Sequence, residues 1–324
     1  MGSVVYGIGS CSPKRLVANR QLEKVVDTSD EWIRTRTGIE TRYIAGANEQ
    51  TYVLAAEAAR RALLDADCSA EQIGLIIVAT ITSHTQMPSA ACLVQGEIGA
   101  QNAFAFDLNA ACSGFLYAVD LAHRYIQSDP SLKVLVIGAE TMSSRLDWQD
   151  RNTCILFGDG AAAVVMGQSE NDRGFIGSNL QSDGRLWPLL YMYGPQSSNP
   201  DLRLADNDGS YLRMEGKEVF RHAVVAMADS VHTLLEDSGL AMDDVSLVVP
   251  HQANIRILHK LIEKFQITED KFFINVARYG NTSAASIPLA LDDACRQGRI
   301  AENDLILLCS FGGGFTWGSA LMKW

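Results

Sequence analysis

The sequence lacks the features that would place it in or across a membrane. It contains no uninterrupted apolar run of about 20 residues, the length that a helix needs to cross a bilayer. No basic segment precedes an apolar one near residue 1, so a signal peptide is not expected. Low-complexity segments are also missing, and apolar residues form 47% of the chain, which argues against disorder. We therefore expect a globular, cytoplasmic protein.

The sequence is also short of positive charge and of paired cysteines. It has 27 lysines and arginines against 38 aspartates and glutamates, a net charge of −11, which argues against a broad nucleic-acid surface. Its seven cysteines are an odd number with irregular spacing and no CxxC pair. A disulfide framework and a zinc site are therefore not expected, and a reducing compartment is.

The strongest organisational signal is an order of predicted elements that occurs twice. Runs of β-branched residues predict strands, and apolar residues at helical spacing predict helices. In the first half the order helix, strand, helix, strand, helix, strand, strand falls on segments 52–67, 73–80, 89–98, 103–110, 113–126, 133–140 and 161–167. In the second half the same order falls on segments 218–238, 245–252, 257–265, 272–281, 284–296, 304–311 and 319–324.

This alternation predicts parallel sheets covered by helices. The repetition indicates a duplicated fold, five layers deep if the halves stack sheet to sheet, although any α/β protein shows a similar rhythm. Chemically useful side chains follow three of the predicted strands: Cys112, His251 and Asn281. Ligand sites in parallel sheets collect at the carboxyl ends of strands, so these side chains are candidates for one site.

Cys112 lies between a predicted strand and the start of a predicted helix. Exposed N–H groups and the positive end of a helix favour the thiolate, the reactive form of cysteine. Taken alone, however, each candidate also fits a structural role. Cys112 fits a buried inert cysteine, His251 a packed histidine, and Asn281 a turn residue after Gly280.

Two glycine-rich segments complete the pattern. Segment 311–318 has three consecutive glycines between two predicted strands, which allows the backbone to approach a ligand closely. A nucleotide-phosphate loop is not indicated, because no Lys-Ser/Thr follows and the segment leads into a strand. It fits better a backbone donor aimed at a thioester oxygen. Segment 157–163 is its counterpart in the first half and also fits a tight turn.

Together these motifs resemble a known family. Cys112 in AACSGF, His251 in PHQANIRI, Asn281 in YGNTSAAS and the tail FGGGFTWGSAL are similar to the thiolase-like condensing enzymes. The most similar group is the β-ketoacyl-[acyl-carrier-protein] synthase III family, which Thr28–Ile39 and FGDGA also resemble. The resemblance implies an α/β thiolase-like fold, with duplicated βαβαβαββ halves at 1–172 and 173–324 in α-β-α-β-α layers.

The resemblance also implies an activity. Cys112 would take an acyl group from acyl-CoA, and malonyl-[acyl carrier protein] would then lose CO2 and attack it. The product is a 3-oxoacyl-[acyl carrier protein], which initiates fatty acid biosynthesis. His251 and Asn281 would stabilise the enolate. The backbone N–H groups of Cys112 and Gly313 would form the oxyanion hole, and Phe311 would pack near the sulfur.

No metal or other cofactor is expected, because loss of CO2 supplies the carbanion and CoA arrives as a substrate. Other interpretations remain. One is a related condensing enzyme or acyltransferase of specialised metabolism with a longer or different primer. Another is a non-catalytic scaffold of the same fold, which the intact Cys112, His251 and Asn281 argue against. A cysteine protease would share these three residue types but not the duplicated α/β plan or the glycine tail.

The resemblance further implies binding surfaces. The positions that match the CoA channel are Thr28, Trp32, Arg36, Arg151 and Asn254. A basic stripe, Arg256, Lys260 and Lys264, recurs every four residues on one predicted helix and would dock the acidic carrier protein. Arg221 and Lys217 would extend this stripe. A solvated, ion-paired face is the alternative for that stripe. Family members pair through central strands, so a homodimer is expected.

Two positions depart from the family pattern. Segment 185–196 is unusually apolar for a connection. Met87 stands where several members carry a large aromatic residue near the partner subunit's acyl pocket, and a flexible methionine would admit a different chain. Both departures concern the choice of acyl primer rather than the chemistry.

Overall fold

The computed structural model describes residues 2–169, 171–199, 201 and 211–324. Its strands, in chain order, are β1 Ser3–Cys11, β2 Arg15–Ala18, β3 Thr41–Ile44, β4 Leu75–Ala79, β5 Phe104–Leu108, β6 Val134–Thr141, β7 Asp159–Gln168, β8 Gly174–Ser182, β9 Leu190–Tyr191, β10 Arg213–Met214, β11 Leu247–Pro250, β12 Leu305–Gly312 and β13 Thr316–Lys323. The α-helices are α1 Asn19–Leu22, α2 Asp30–Thr37, α3 Thr51–Asp65, α4 Ala90–Ile98, α5 Gly114–Ser128, α6 Arg151–Cys154, α7 Gly216–Ser238, α8 Ile255–Phe265, α9 Val276–Tyr279 and α10 Ser286–Arg296.

Two central sheets have corresponding strand orders. The first is β1-β7-β6-β4-β5, and the second, read from its other edge, is β8-β13-β12-β11. Strand β4 is parallel to β5 and β6, and β11 is parallel to β12. Strands β1, β7, β8 and β13 are antiparallel to their neighbours. Both sheets are therefore mixed: they are parallel where helices connect their strands and antiparallel at β1, β7, β8 and β13, the first and last strands of the two halves.

The layers follow the predicted α-β-α-β-α order. Helices α3 and α4 pack on the outer face of the first sheet, α5 and α10 lie between the two sheets, and α7 with α8 covers the second. The apolar runs of β4 and β6 are wholly buried, as expected for strands with helices on both faces. The predicted division after residue 172 stays a prediction; β8, which begins at Gly174, belongs to the second sheet.

One predicted strand is not formed. Segment 272–281 contributes only two isolated bridges, Phe272 with Val248 and Asn281 with Phe157, and forms α9 between them. The Gln252 side chain explains the loss, because it satisfies the backbone at this point. Its Nε2 donates to the Phe273 carbonyl at 3.0 Å, and its Oε1 accepts from the Asn275 N–H at 3.0 Å. The second sheet consequently has one strand fewer than the first.

Among the described residues, no helix has both the length and the apolar character that crossing a membrane requires.

Candidate active site

The structure brings Cys112, His251 and Asn281 to the wall of one cavity of about 710 Å³. Their exposed fractions are 8%, 3% and 7%, so each meets solvent only through that cavity. Each residue follows an element of a different part of the chain: Cys112 follows β5, His251 follows β11, and Asn281 follows α9. A sulfur, an imidazole and a carboxamide therefore share one cavity.

Cys112 lies in a short 3₁₀ turn, Ala111–Ser113, that leads directly into α5. Its carbonyl accepts a hydrogen bond of 2.9 Å from the Ser310 hydroxyl on β12. Burial raises the pKa of the Cys112 thiol to about 12, against the lowering effect of a hydrogen bond with Ser283. Desolvation of the charged form thus opposes the thiolate, which the start of α5 favours.

His251 directly follows β11, and Ser286 fixes its orientation. The His251 Nδ1 lies 2.5 Å from the Ser286 hydroxyl, which itself accepts a hydrogen bond from the Gln252 N–H. Ser286 can therefore donate its own hydrogen to Nδ1, an arrangement in which the ring proton is on Nε2. Burial lowers the pKa of His251 to about 3, so the imidazole is a neutral donor at neutral pH.

Asn281 is held by backbone pairing with the segment before β7. Its N–H donates to the Leu156 carbonyl at 2.8 Å, and its carbonyl accepts from the Gly158 N–H at 3.0 Å. Gly280 precedes it with a φ of +67°, and a Cβ there would lie 2.9 Å from the Leu156 oxygen. The Asn281 Oδ1 accepts the Ser283 N–H at 2.8 Å, which leaves the amide NH2 group to donate elsewhere.

The glycine-rich turn after β12 lies against the nucleophile. A Cβ on Gly312 would lie 2.7 Å from the Cys112 nitrogen, and Gly313 lines the cavity. Phe311 also lines it and packs against Phe315, with ring centroids 4.6 Å apart. Met87 is 88% exposed and lies outside the cavity wall, so its packing in a partner subunit's pocket stays a prediction.

The residues matched to the CoA channel gather around Trp32. The guanidinium carbons of Arg36 and Arg151 each lie 4.7 Å from the Trp32 ring centroid. Trp32, Arg36 and Asn254 line the cavity, whereas Thr28 and Arg151 lie outside its wall. The Asn254 Oδ1 also caps α8 by accepting the Arg256 N–H at 2.8 Å.

The predicted basic stripe occupies the exposed face of α8. Arg256, Lys260 and Lys264 are exposed, while Leu258 and Leu261 on the opposite face are fully buried. Arg256 and Lys217 reach the cavity wall. Two cations of the set have acidic neighbours: Lys260 pairs with Glu263 at 2.5 Å, and Arg221 pairs with Glu218 at 3.5 Å.

Much of the remaining cavity wall is apolar. It is formed by Ile81, Met142, Leu156, Phe157, Leu190, Tyr191, Met192, Leu212 and Met214. Three of these residues, 190–192, belong to the apolar segment 185–196 that departs from the family pattern. This segment therefore contributes to the cavity, and its composition bears on which acyl chain fits.

Comparison with known proteins identifies the family. Residues 106–184 match the family model described as 3-Oxoacyl-[acyl-carrier-protein (ACP)] synthase III, and residues 235–324 match the model of its C terminal. The Beta-ketoacyl-[acyl-carrier-protein] synthase III of Desulfotalea psychrophila is 54% identical over 324 residues, covering 100% of both chains. This chain belongs to the 3-oxoacyl-[acyl-carrier-protein] synthase III family.

Solved structures of the family share the fold. The 3-oxoacyl-[acyl-carrier-protein] synthase III of Aquifex aeolicus superposes with a TM-score of 0.93 at 46% identity, covering 100% of both chains. The synthase III from Thermus thermophilus gives a TM-score of 0.93 at 41% identity, covering 99% of each chain. The thiolase-like fold predicted from the motifs is thus confirmed.

Inspection of the sequence missed three supporting residues of this synthase III site. Ser286 holds His251, Ser283 holds Asn281, and Glu140 accepts a hydrogen bond from Ser283. One signal was available for Glu140: a carboxylate that interrupts the buried apolar run of β6 needs partners or a function. No sequence spacing indicates the two serines, because the partners of their hydroxyl groups lie 35 and 143 residues away in the chain.

Proposed function

We propose that the chain catalyses the decarboxylating condensation of an acyl-CoA primer with malonyl-[acyl carrier protein]. Family membership makes it a condensing acyltransferase, and full-length relatives at 47–54% identity favour this initiating reaction of fatty acid biosynthesis over specialised metabolism. The observation that carries the proposal is the convergence of Cys112, His251 and Asn281 on one cavity.

In the first half-reaction the Cys112 sulfur attacks the thioester carbonyl of acyl-CoA. CoA leaves as its thiolate, and the acyl group stays on sulfur as a thioester. The backbone N–H groups of Cys112 and Gly313 are proposed to stabilise the oxyanion. The close packing of the glycine-rich turn against the Cys112 nitrogen supports this assignment.

In the second half-reaction malonyl on the carrier protein loses CO2, and its thioester oxygen becomes an enolate. The neutral His251 Nε2–H and the Asn281 NH2 group donate to that oxygen. Neutral donors suit this step, since a developing negative charge in a buried site gains from fixed dipoles. The enolate carbon then attacks the acyl-Cys112 carbonyl, which releases the 3-oxoacyl product and the free thiolate. No metal or other cofactor takes part in this scheme.

The proposed substrates enter past two charged regions. Trp32, Arg36 and Asn254 would contact CoA, where an adenine ring and an anionic phosphate suit an indole and guanidinium groups; Thr28 and Arg151 would support that end of the channel. The exposed cations of α8 would dock the acidic carrier protein. This assignment is supported by the position of Arg256, which lies both on α8 and at the cavity wall.

We also propose a homodimer formed through β5. Within the described residues β5 is the edge strand of the first sheet, and Phe104 on it is 49% exposed. An exposed apolar edge is a template for pairing with a second copy. The seven cysteines, all free, fit the reducing cytoplasm as the compartment.

Intact-mass detection of an acyl adduct tests the proposal. Wild-type protein incubated with a panel of acyl-CoAs should gain one acyl mass, and Cys112→Ala should gain none. Adding malonyl-[acyl carrier protein] should remove the adduct and yield a 3-oxoacyl carrier protein. Absence of any adduct across the panel would contradict the function, whereas an adduct without condensation would indicate acyl transfer only.

A further inference from the structure

Glu140, near the end of β6, is a buried carboxylate whose partners are all neutral. It is 0% exposed. Its oxygens accept hydrogen bonds from the Ser283 hydroxyl at 3.1 Å, the Thr80 hydroxyl at 3.2 Å and the Ile81 N–H at 3.2 Å. The Thr82 hydroxyl also donates to it. No cation among the described residues contributes to its surroundings. A carboxylate buried in this way is costly, so we expect it to have a role.

The geometry of β6 joins this carboxylate to segment 283–285. Residues 138 and 140 lie on the same face of the strand, because side chains alternate along it. A Cβ on Gly138 would lie 2.3 Å from the Ala284 oxygen, so the strand backbone touches the segment there. Two residues further along, Glu140 accepts the hydrogen bond from the Ser283 hydroxyl. The strand thus supports this segment by close packing and by a hydrogen bond to a carboxylate.

Ser283 connects the carboxylate to Asn281. Its φ of +51° lies in the left-handed region, which is costly for a residue other than glycine. In this conformation its N–H donates to the Asn281 Oδ1 at 2.8 Å. The hydrogen bond from its hydroxyl to Glu140 offsets the backbone cost, since bonds to charged groups are strong enough to do so. With Oδ1 occupied, the NH2 group of Asn281 is the part of the carboxamide that can donate to a substrate oxygen.

We propose that Glu140 and Ser283 are positioning residues for the enolate donor Asn281, an inference that rests on the function proposed above. Glu140 holds the Ser283 hydroxyl, the held serine keeps its left-handed conformation, and its N–H then fixes the Asn281 carboxamide. Neither Glu140 nor Ser283 lines the cavity. Both therefore act through Asn281 rather than by contact with substrate.

The effect should be confined to the second half-reaction. Asn281 donates to the enolate oxygen during condensation, whereas acylation of Cys112 does not use this donor. His251 is held separately, by Ser286, so its own donor remains in place when Ser283 is changed. Loss of the positioning residues therefore removes at most what Asn281 contributes to the condensation rate.

The experiment measures both half-reactions in Ser283→Ala and Glu140→Gln. Intact mass follows acylation with acyl-CoA alone, and a single turnover of the preformed acyl-enzyme with malonyl-[acyl carrier protein] follows condensation. Ser283→Ala should slow condensation by about tenfold, because misplacing a reacting group by a fraction of an ångström has effects of this order. Acylation should be unchanged. Glu140→Gln keeps the shape of the side chain but replaces an acceptor oxygen with an NH2 group, so it should also slow condensation alone. In an Asn281→Ala background, Ser283→Ala should cause no further loss.

Ser230→Ala is the matched control. Ser230 on α7 is also buried, and its hydroxyl lies 2.9 Å from that of Ser319. The variant thus removes a buried serine hydroxyl that has no link to Asn281, and both half-reactions should keep their wild-type rates. Thermal melts establish that each variant is folded, and Ser283→Ala keeps the test decisive if Glu140→Gln does not fold.

Three results would overturn the proposal: unchanged condensation in Ser283→Ala, an equal slowing of both half-reactions, or a further loss in the Asn281→Ala background. A crystal structure of Ser283→Ala gives a readout that is independent of activity. The 2.8 Å contact between the Asn281 Oδ1 and the nitrogen of residue 283 should be lost, and a carboxamide that stays in place would contradict the positioning role. A wild type that forms no 3-oxoacyl product would instead count against the function proposed above.

Discussion

Removal of the His251 imidazole should separate the two half-reactions. In His251→Ala, condensation loses one neutral donor to the enolate oxygen. The residue is 3% exposed, so water does not replace that donor at full strength. A donor of this kind contributes about 3 kcal/mol, which corresponds to a loss of about 10²-fold in the condensation rate. Acylation of Cys112 does not use this donor and should change little.

Two measurements on one sample resolve these steps. Intact mass follows formation of the acyl adduct with acyl-CoA alone, and release of labelled CO2 from malonyl-[acyl carrier protein] follows decarboxylation. Asn281→Ala should show the same pattern. His232→Ala is the control, because this histidine is exposed on α7 and pairs with Glu236. If His251→Ala slowed acylation as much as condensation, the assignment of an enolate donor would be wrong.

The remaining predictions concern the two binding surfaces and the fold. Trp32→Ala should raise the KM for acyl-CoA roughly fivefold, through loss of about 1 kcal/mol of stacking, and leave the KM for malonyl-[acyl carrier protein] unchanged; a change in both would refute a role specific to CoA. Arg256→Glu should raise the carrier-protein KM by about tenfold and weaken its salt dependence, whereas Arg60→Glu on α3 should not. An equal effect on the acyl-CoA KM would contradict docking at α8. Gly138→Ala should lower stability by about 1–3 kcal/mol, since its Cβ would lie 2.3 Å from the Ala284 oxygen. Gly96→Ala, with open space at its Cβ, should raise stability by about 0.5–1 kcal/mol. Equal melting temperatures for Gly138→Ala and Gly96→Ala would refute the close contact of position 138 with the Ala284 oxygen.

The central elements of the fold were predictable from local patterns. The apolar runs of β4, β6 and β12 and the helices α3, α5 and α10 follow from periodicity and from turn residues at their ends. The relative directions of neighbouring strands could not be predicted in this way, because an apolar strand has the same sequence pattern whether its neighbour is parallel or antiparallel. The loss of a strand at 272–281 also escaped prediction. Its cause is the side chain of Gln252, some 20 residues away, whose hydrogen bonds replace those of a ladder.

The sequence by itself determined which reactive groups the chain carries. A cysteine before a helix, a histidine after a strand and an asparagine after a glycine were recognisable, and together they indicated the family. Only the tertiary structure decided the state of those groups. Burial sets the pKa of the thiol at about 12 and that of the imidazole at about 3, because both properties depend on how much water the packed layers exclude. The same packing joins Glu140 and Ser283 by a hydrogen bond, from segments 143 residues apart in the chain.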